Sequence, residues 1–132
     1  MSATNDLLDA ALIVQANAHA PYSGFRVGAA VRSTSGVIYA GCNVENASFP
    51  EGICAESAAI GAMVAAGERA IAEVLTVADG DDLTTCCGGC RQRIREFATP
   101  ATLVHAAGPE GVRRTFTIEE LLPASFGAEN LS

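Results

Sequence analysis

The chain is predicted to fold as an α/β domain whose mixed β-sheet carries helices on both faces. Three observations lead there. Segments with helical apolar spacing alternate with short runs rich in valine, isoleucine and alanine, in the order α-β-β-α-β-α-β. The 132 residues suit one domain, residues 1–132, and not two. Hydrophobic residues make up 49% and charged residues 17%, which supplies a core and argues against disorder.

Each element has a local reason. Thr4 or Asn5 can cap a first helix over residues 6–18, where Leu7, Leu8, Ala11, Leu12, Gln15 and Ala18 follow helical spacing and Pro21 ends the run. His19, at that C-terminus, is placed to meet the last carbonyls. Strands over residues 27–32 and 37–44 flank Ser33-Thr34-Ser35-Gly36, a hairpin connection. A helix over residues 54–66 is built mostly from alanine, with Ile60, Met63 and Val64 as its larger apolar groups, and Gly67 ends it. Small residues on several of its sides suit close packing on a sheet or against a neighbouring subunit. A strand over 74–78, a polar loop and a short helix from the Cys86–Cys90 segment to about Ala98 follow, until Thr99-Pro100 breaks the chain. Residues 101–106 form another strand, with His105 in the core or at an edge. Thr117-Ile118-Glu119-Glu120 reads as a capping box opening a short helix before Pro123, and the tail 124–132 is expected to be irregular.

Charge narrows the partners. The net charge is −7 and all eight basic residues are arginine, so a nucleic acid polymer would be repelled and a small uncharged substrate fits better. No apolar run approaches the ~20 residues that span a bilayer, and Met1-Ser2-Ala3-Thr4-Asn5-Asp6 has no signal-peptide pattern. A cytoplasmic protein without membrane partners is expected. Five cysteines then read as thiols and not as a disulfide framework, with Cys42, standing alone, in the core.

The chemistry gathers at Cys54-Ala55-Glu56, where a helix begins. Side chains two apart on a helix diverge by about 200°, so Cys54 and Glu56 can serve one metal only if it sits off the helix end. Unpaired amides and the positive end of the dipole there stabilise a thiolate. Cys87-Gly88-Gly89-Cys90 has the two-residue gap that lets both sulfurs grip one ion, although spacing alone leaves a redox dithiol or chance open. Cys54, at another predicted helix start, is the sensible third ligand. Three protein ligands leave a fourth position for water, the pattern of a catalytic zinc, and Glu56 would carry the protons. Asn43 and Glu45, two apart in extended chain, share a face: either a solvated strand end, or an amide and a carboxylate for a diol.

Several motifs occur in order between about residues 6 and 130: Ala20-Pro21-Tyr22-Ser23-Gly24-Phe25-Arg26-Val27-Gly28-Ala29-Ala30, residues 41–48, Cys54-Ala55-Glu56, Cys87-Gly88-Gly89-Cys90-Arg91-Gln92, and Leu121-Leu122-Pro123-Ala124-Ser125-Phe126. Together they closely resemble the small homotetrameric, zinc-dependent cytidine deaminases of the cytidine/deoxycytidylate deaminase superfamily. The resemblance implies a three-layer α/β fold and one Zn²⁺ per subunit, held by Cys54, Cys87 and Cys90. It implies Glu56 as the proton shuttle, Asn43 and Glu45 on the ribose hydroxyls, Phe25 near the base, the Ala55 backbone on the pyrimidine edge, and Phe126 contributed across a subunit boundary. The reaction implied is hydrolysis of cytidine and 2′-deoxycytidine to uridine and 2′-deoxyuridine with release of ammonia, a step of pyrimidine salvage. A deaminase of a modified cytosine nucleoside, of the blasticidin type, is the nearest alternative. A thiol redox protein and a noncatalytic zinc module are others, and both leave Glu56 without a role.

Three positions depart from the family's pattern. Ser57 stands where an arginine often follows the catalytic glutamate and offsets the charge of the ligand sulfurs. Because a serine offers only one hydroxyl donor, the acidity of the metal-bound water is expected to depend more on the helix N-termini near Cys54 and Cys90. Cys86 replaces a common proline, adding a thiol that is either a bystander or an alternative ligand. Phe49 stands where some relatives carry tyrosine.

Overall fold

The computed structural model describes residues 3–132. Helix α1 (Ala3–Gln15) is followed by strands β1 (Val27–Ser33) and β2 (Ile38–Cys42), helix α2 (Ala55–Ala65) and strand β3 (Ile71–Ala78). Helix α3 (Gly88–Phe97), strands β4 (Leu103–Gly108) and β5 (Gly111–Thr117) and the short helix α4 (Ile118–Leu121) complete the order. The strands make one five-stranded sheet, β2-β1-β3-β4-β5. Among the described residues only strands β3 and β4 are parallel neighbours, joined by the crossover through α3, so the sheet is mixed as the element order predicts.

Alternation along the strands splits the core in two. Leu7 and Ala11 of α1 pack on Ala30, Leu75, Val77 and Ala107. On the opposite face, Ala29, Val31, Val74 and Val104 meet Ala59, Ile60 and Met63 of α2, and Ile94 of α3. Two glycines let the helices come close. A Cβ on Gly28 would lie 2.1 Å from the Ala11 carbonyl oxygen, and one on Gly41 would lie 2.5 Å from the Ala59 amide nitrogen. The alanine-rich α2 is thus a packed helix, seated directly on β2.

Several predicted boundaries move. Helix α1 stops at Gln15, three residues before Ala18, and His19 does not cap it: its backbone amide donates to the Asn43 carbonyl at 3.0 Å, and its carbonyl accepts from the Glu45 amide at 2.8 Å. Strand β3 begins at Ile71, because Glu73 is held on the sheet by Arg32 and His105 despite its charge. The prediction omitted β5, whose Arg113 and Arg114 mask an edge strand; Arg114 instead lies over the Phe116 ring, 4.7 Å from its centroid. In the tail, Ala128–Leu131 forms a 3₁₀ turn where irregular chain was expected. Cys42 is half-buried on β2 and does not belong to the core. The capping box is present, with the Glu120 amide donating to Thr117 Oγ1 at 3.1 Å and the Thr117 amide to Glu120 Oε1 at 2.9 Å. His105 is buried, as a core position requires. No helix among the described residues is long and apolar enough to cross a membrane.

Candidate active site

Two helix starts on one face of the sheet carry the thiols. Cys54 is the N-cap of α2 and Cys87 the N-cap of α3, both with extended backbone (φ −74°, ψ 153° and φ −68°, ψ 167°). An N-cap side chain stands beyond the first helical turn, beside its unpaired amides. This resolves the conflict set by helical spacing: Cys54 lies off the end of α2 while Glu56 is already within its first turn. Cys90 follows in the first turn of α3 and is fully buried. The three sulfurs lie within 4.8 Å of one another, with Cys54 Sγ and Cys87 Sγ 3.8 Å apart. Two thiolates on one tetrahedral zinc, each about 2.3 Å from it, stand about 3.8 Å apart. The donor set therefore fits a Zn²⁺ site with three protein ligands.

Cys86 is not part of that set. Its side chain packs in the core beside Cys90, and burial pushes its thiol up to about 11. Its carbonyl accepts from Arg91 Nε at 3.0 Å, while the same guanidinium donates to the Leu121 carbonyl and Thr85 Oγ1, each at 2.8 Å. Arg91 thus fixes the loop that delivers Cys87.

A cavity of about 260 Å³ opens beside the thiols, lined by Cys54, Cys87, Ala55, Glu56, Phe25 and Asn43. Glu56 is only 4% exposed, and its burial raises the carboxyl's pKa above the ordinary glutamate value. That environment suits a group that must hold a proton and give it up.

Asn43 reaches its place through main-chain pairing. Val44 and Ile53 exchange both amide–carbonyl bonds at 2.9 Å, so residues 43–45 run extended beside the segment leading into Cys54. The Asn43 side chain then grips the preceding loop: Nδ2 donates to the Phe25 carbonyl and Oδ1 accepts from the Val27 amide, both at 2.9 Å. Glu45 accepts from Ser23 Oγ and from the amides of Tyr22 at 3.0 Å and Ser23 at 3.1 Å. These bonds, the Ser23 hydroxyl foremost, hold its carboxyl below the usual range. Glu45 does not line the thiol cavity; it lines a separate apolar hollow of about 330 Å³ with Tyr22 and Phe49, whose rings meet at 5.8 Å between centroids.

Phe126 is not brought to the cavity within one chain. It is 56% exposed, and its carbonyl accepts from Gln92 Nε2 at 2.9 Å. A larger hollow of about 460 Å³, between the end of α3 and α4, holds none of the thiols.

Sequence reasoning missed four residues. Thr76, Thr84 and Thr85 also line the cavity. Thr76 Oγ1 is buried without a hydrogen-bond partner among the described residues, the condition of a hydroxyl that a water or a ligand atom satisfies. Its signal was the alternation of β3, which turns Thr76 away from α1 along with Val74. Arg93 is the fourth: Nη1 lies 3.8 Å from Cys90 Sγ, while Ser57 Oγ lies 3.6 Å from the same sulfur. Besides the helix N-termini and the Ser57 hydroxyl expected near the sulfurs, the structure thus adds a guanidinium, for which the spacing of three between Cys90 and Arg93 was the available signal.

Known proteins resemble this chain in sequence and in fold. Residues 1–106 match the family model described as the cytidine and deoxycytidylate deaminase zinc-binding region. A cytidine deaminase of Sporosarcina psychrophila is 39% identical over 115 residues, covering 87% of this chain and 85% of that protein. One of Halalkalibacterium halodurans is 35% identical over 126 residues and 96% of both chains. The crystal structure of the Burkholderia pseudomallei cytidine deaminase superposes with a TM-score of 0.88 at 36% identity, covering 96% of this chain and 100% of that one. The fold, the cysteine set at two helix starts and these matches agree: the chain belongs to the cytidine and deoxycytidylate deaminase family.

Proposed function

We propose that the protein hydrolyses cytidine and 2′-deoxycytidine to uridine and 2′-deoxyuridine, releasing ammonia. The observation that carries this reading is the meeting of Glu56 with Cys54 and Cys87 in one cavity, with Cys90 completing the donor set. Cys54, Cys87 and Cys90 would hold a Zn²⁺, which would make a bound water acidic enough to ionise near neutrality. Glu56 would take one proton from that water and place it on ring N3 as the water's oxygen bonds to C4; it would then take the remaining proton from the new C4 hydroxyl and give it to the exocyclic nitrogen, whose bond to C4 breaks as C4=O forms and ammonia leaves. The burial of Glu56 keeps the proton on the carboxyl between these transfers.

The other residues of the cavity, with Glu45 from the separate hollow, orient the nucleoside. The backbone of Ala55, at the start of α2, serves the pyrimidine edge, and the half-exposed Phe25 ring covers the base. Asn43 and Glu45 take the ribose hydroxyls. Each keeps unused hydrogen-bonding capacity, since an amide carries four sites and a carboxylate about four lone pairs. Their bonds to the 22–27 backbone fix both before substrate arrives, which lowers the ordering cost of binding.

We infer a homotetramer in which Phe126 completes a neighbouring subunit's site, supported by its exposure and that of Phe49 at 74%, both large aromatic groups near the site's elements. The five free thiols support work in the reducing cytoplasm. The test of function is direct: the parent should bind one zinc per chain and bleach the ultraviolet absorbance of cytidine as uridine forms. Glu56→Gln should keep the zinc and lose roughly 10²–10⁴-fold in kcat. Zinc without turnover in the parent would favour a noncatalytic module, and dithiol-dependent disulfide reduction without zinc would favour a redox protein.

A further inference from the structure

Three thiolates outweigh a divalent cation by one negative charge, and Cys90, the most buried of the three, lies away from solvent that could offset it. A site of that kind needs a cation or directed donors close to the sulfurs. Arg91 is the nearer candidate by sequence, but its nitrogens are taken by the Cys86 and Leu121 carbonyls and by Thr85 Oγ1. Arg93 is differently placed. Its Nη1 lies 3.8 Å from Cys90 Sγ, with Ser57 Oγ on the same sulfur at 3.6 Å from the neighbouring helix. Gly89 leaves room for this guanidinium, since a Cβ there would lie 3.3 Å from Nη1.

We propose that Arg93 is a positioning residue for the metal site: from α3, and paired with Ser57 from α2, it places a positive charge and a hydrogen-bond donor on Cys90. This rests on the reading of Cys54, Cys87 and Cys90 as zinc ligands. The two contacts act on one ligand, so they make the three sulfurs unequal. Cys90, buried and receiving both donors, becomes the least electron-rich of the set, while Cys54 and Cys87 keep the exposed side toward the cavity. Because Arg93 itself is exposed, its guanidinium can be removed without opening a void in the core.

Zinc affinity, measured by competition with a chromogenic chelator at fixed pH, tests the proposal without reference to turnover. The parent should hold one zinc per chain. Arg93→Ala and Arg93→Gln should bind zinc roughly 10–100-fold more weakly, Arg93→Lys should fall between them and the parent, and the double variant Ser57→Arg with Arg93→Ala should recover most of the loss. In cobalt-substituted protein, the thiolate-to-metal charge-transfer band should move to lower energy in Arg93→Gln, because a sulfur that loses its donor is easier to oxidise. Far-ultraviolet circular dichroism identifies any variant that misfolds, and Arg93→Lys, which keeps the charge but not the planar fork, remains informative in that event: zinc affinity several-fold below the parent in the folded Lys variant supports the role, and parent-like affinity counts against it. Parent-like affinity and an unmoved band in folded Arg93→Gln would overturn the role of Arg93 while leaving the zinc site intact. A parent that binds no zinc would instead overturn the site itself.

Discussion

Cys54 Sγ and Cys87 Sγ stand 3.8 Å apart although 33 residues separate them in the chain. Each is the N-cap of its own helix, so the approach of α2 to α3, and nothing local, sets that distance.

Cys87→Ser should remove bound zinc and with it activity, whereas Cys86→Ser should keep one zinc per chain, since the Cys86 thiol packs in the core. Zinc analysis by mass spectrometry distinguishes the two; loss of metal from Cys86→Ser would overturn the ligand set. Chelator treatment of the parent should abolish turnover, and added zinc should restore it.

Gly41 controls where α2 sits. A methyl group there would press on Ala59 N at 2.5 Å and on the Ala55 carbonyl oxygen at 2.9 Å, and neither is free to move alone. Gly41→Ala should therefore cost about 1–3 kcal/mol in urea unfolding and reduce zinc content, because α2 carries Cys54 at its start. Full zinc occupancy with unchanged stability would refute this account of the packing.

Asn43 acts on the loop it grips. In Asn43→Asp the acceptor for the Val27 amide survives, but the donor to the Phe25 carbonyl becomes an oxygen that repels it. Losing that bond is worth about 1–2 kcal/mol, so KM for cytidine should rise by roughly tenfold, with kcat changing less. An unchanged KM would separate Asn43 from substrate binding.

Glu73 links three strands, accepting from Arg32 Nε at 3.1 Å and meeting His105 Nε2 at 2.8 Å, while His105 Nδ1 lies 2.8 Å from Thr115 Oγ1. Partial burial pulls the Glu73 carboxyl up, but the hydrogen bonds and charges of His105 and Arg32 outweigh it and hold the carboxyl below the usual value. A carboxyl depressed in the folded state contributes stability that is present above its unfolded pKa, about 4.3, and is lost as pH falls through the folded value. Glu73→Gln should thus be less stable than the parent by about 1–3 kcal/mol at pH 7, and the gap should close below about pH 4. Urea midpoints across that range provide the check, and a gap independent of pH would show that the carboxylate charge is immaterial.

Much of the fold was legible because its signals are local. Helical spacing, the Gly67 stop and the Thr117–Glu120 capping box each involve residues a few positions apart. Where the prediction failed, a distant partner had replaced the local signal. Strand β5 reads as polar because its arginines lie at a sheet edge, and the start of β3 is hidden by Glu73, whose charge is matched only by Arg32 and His105 from other strands.

The sequence by itself determined which groups are candidates for the chemistry: Cys54, Cys87 and Cys90, whose sulfurs fit a zinc site, and Glu56 beside them stand out by residue type, spacing and helix starts, since metal binding and proton transfer need particular groups. Tertiary structure decided which groups share a space. It excluded Cys86 from the sulfur cluster, engaged Asn43 and Glu45 with the loop before β1, set Phe126 outside its own chain's cavity, and brought Arg93 and Ser57 from two helices to the same sulfur. Those outcomes depend on how helices seat on a sheet, at glycines 28 and 41, and a contact made by packing leaves no periodic trace in the order of residues.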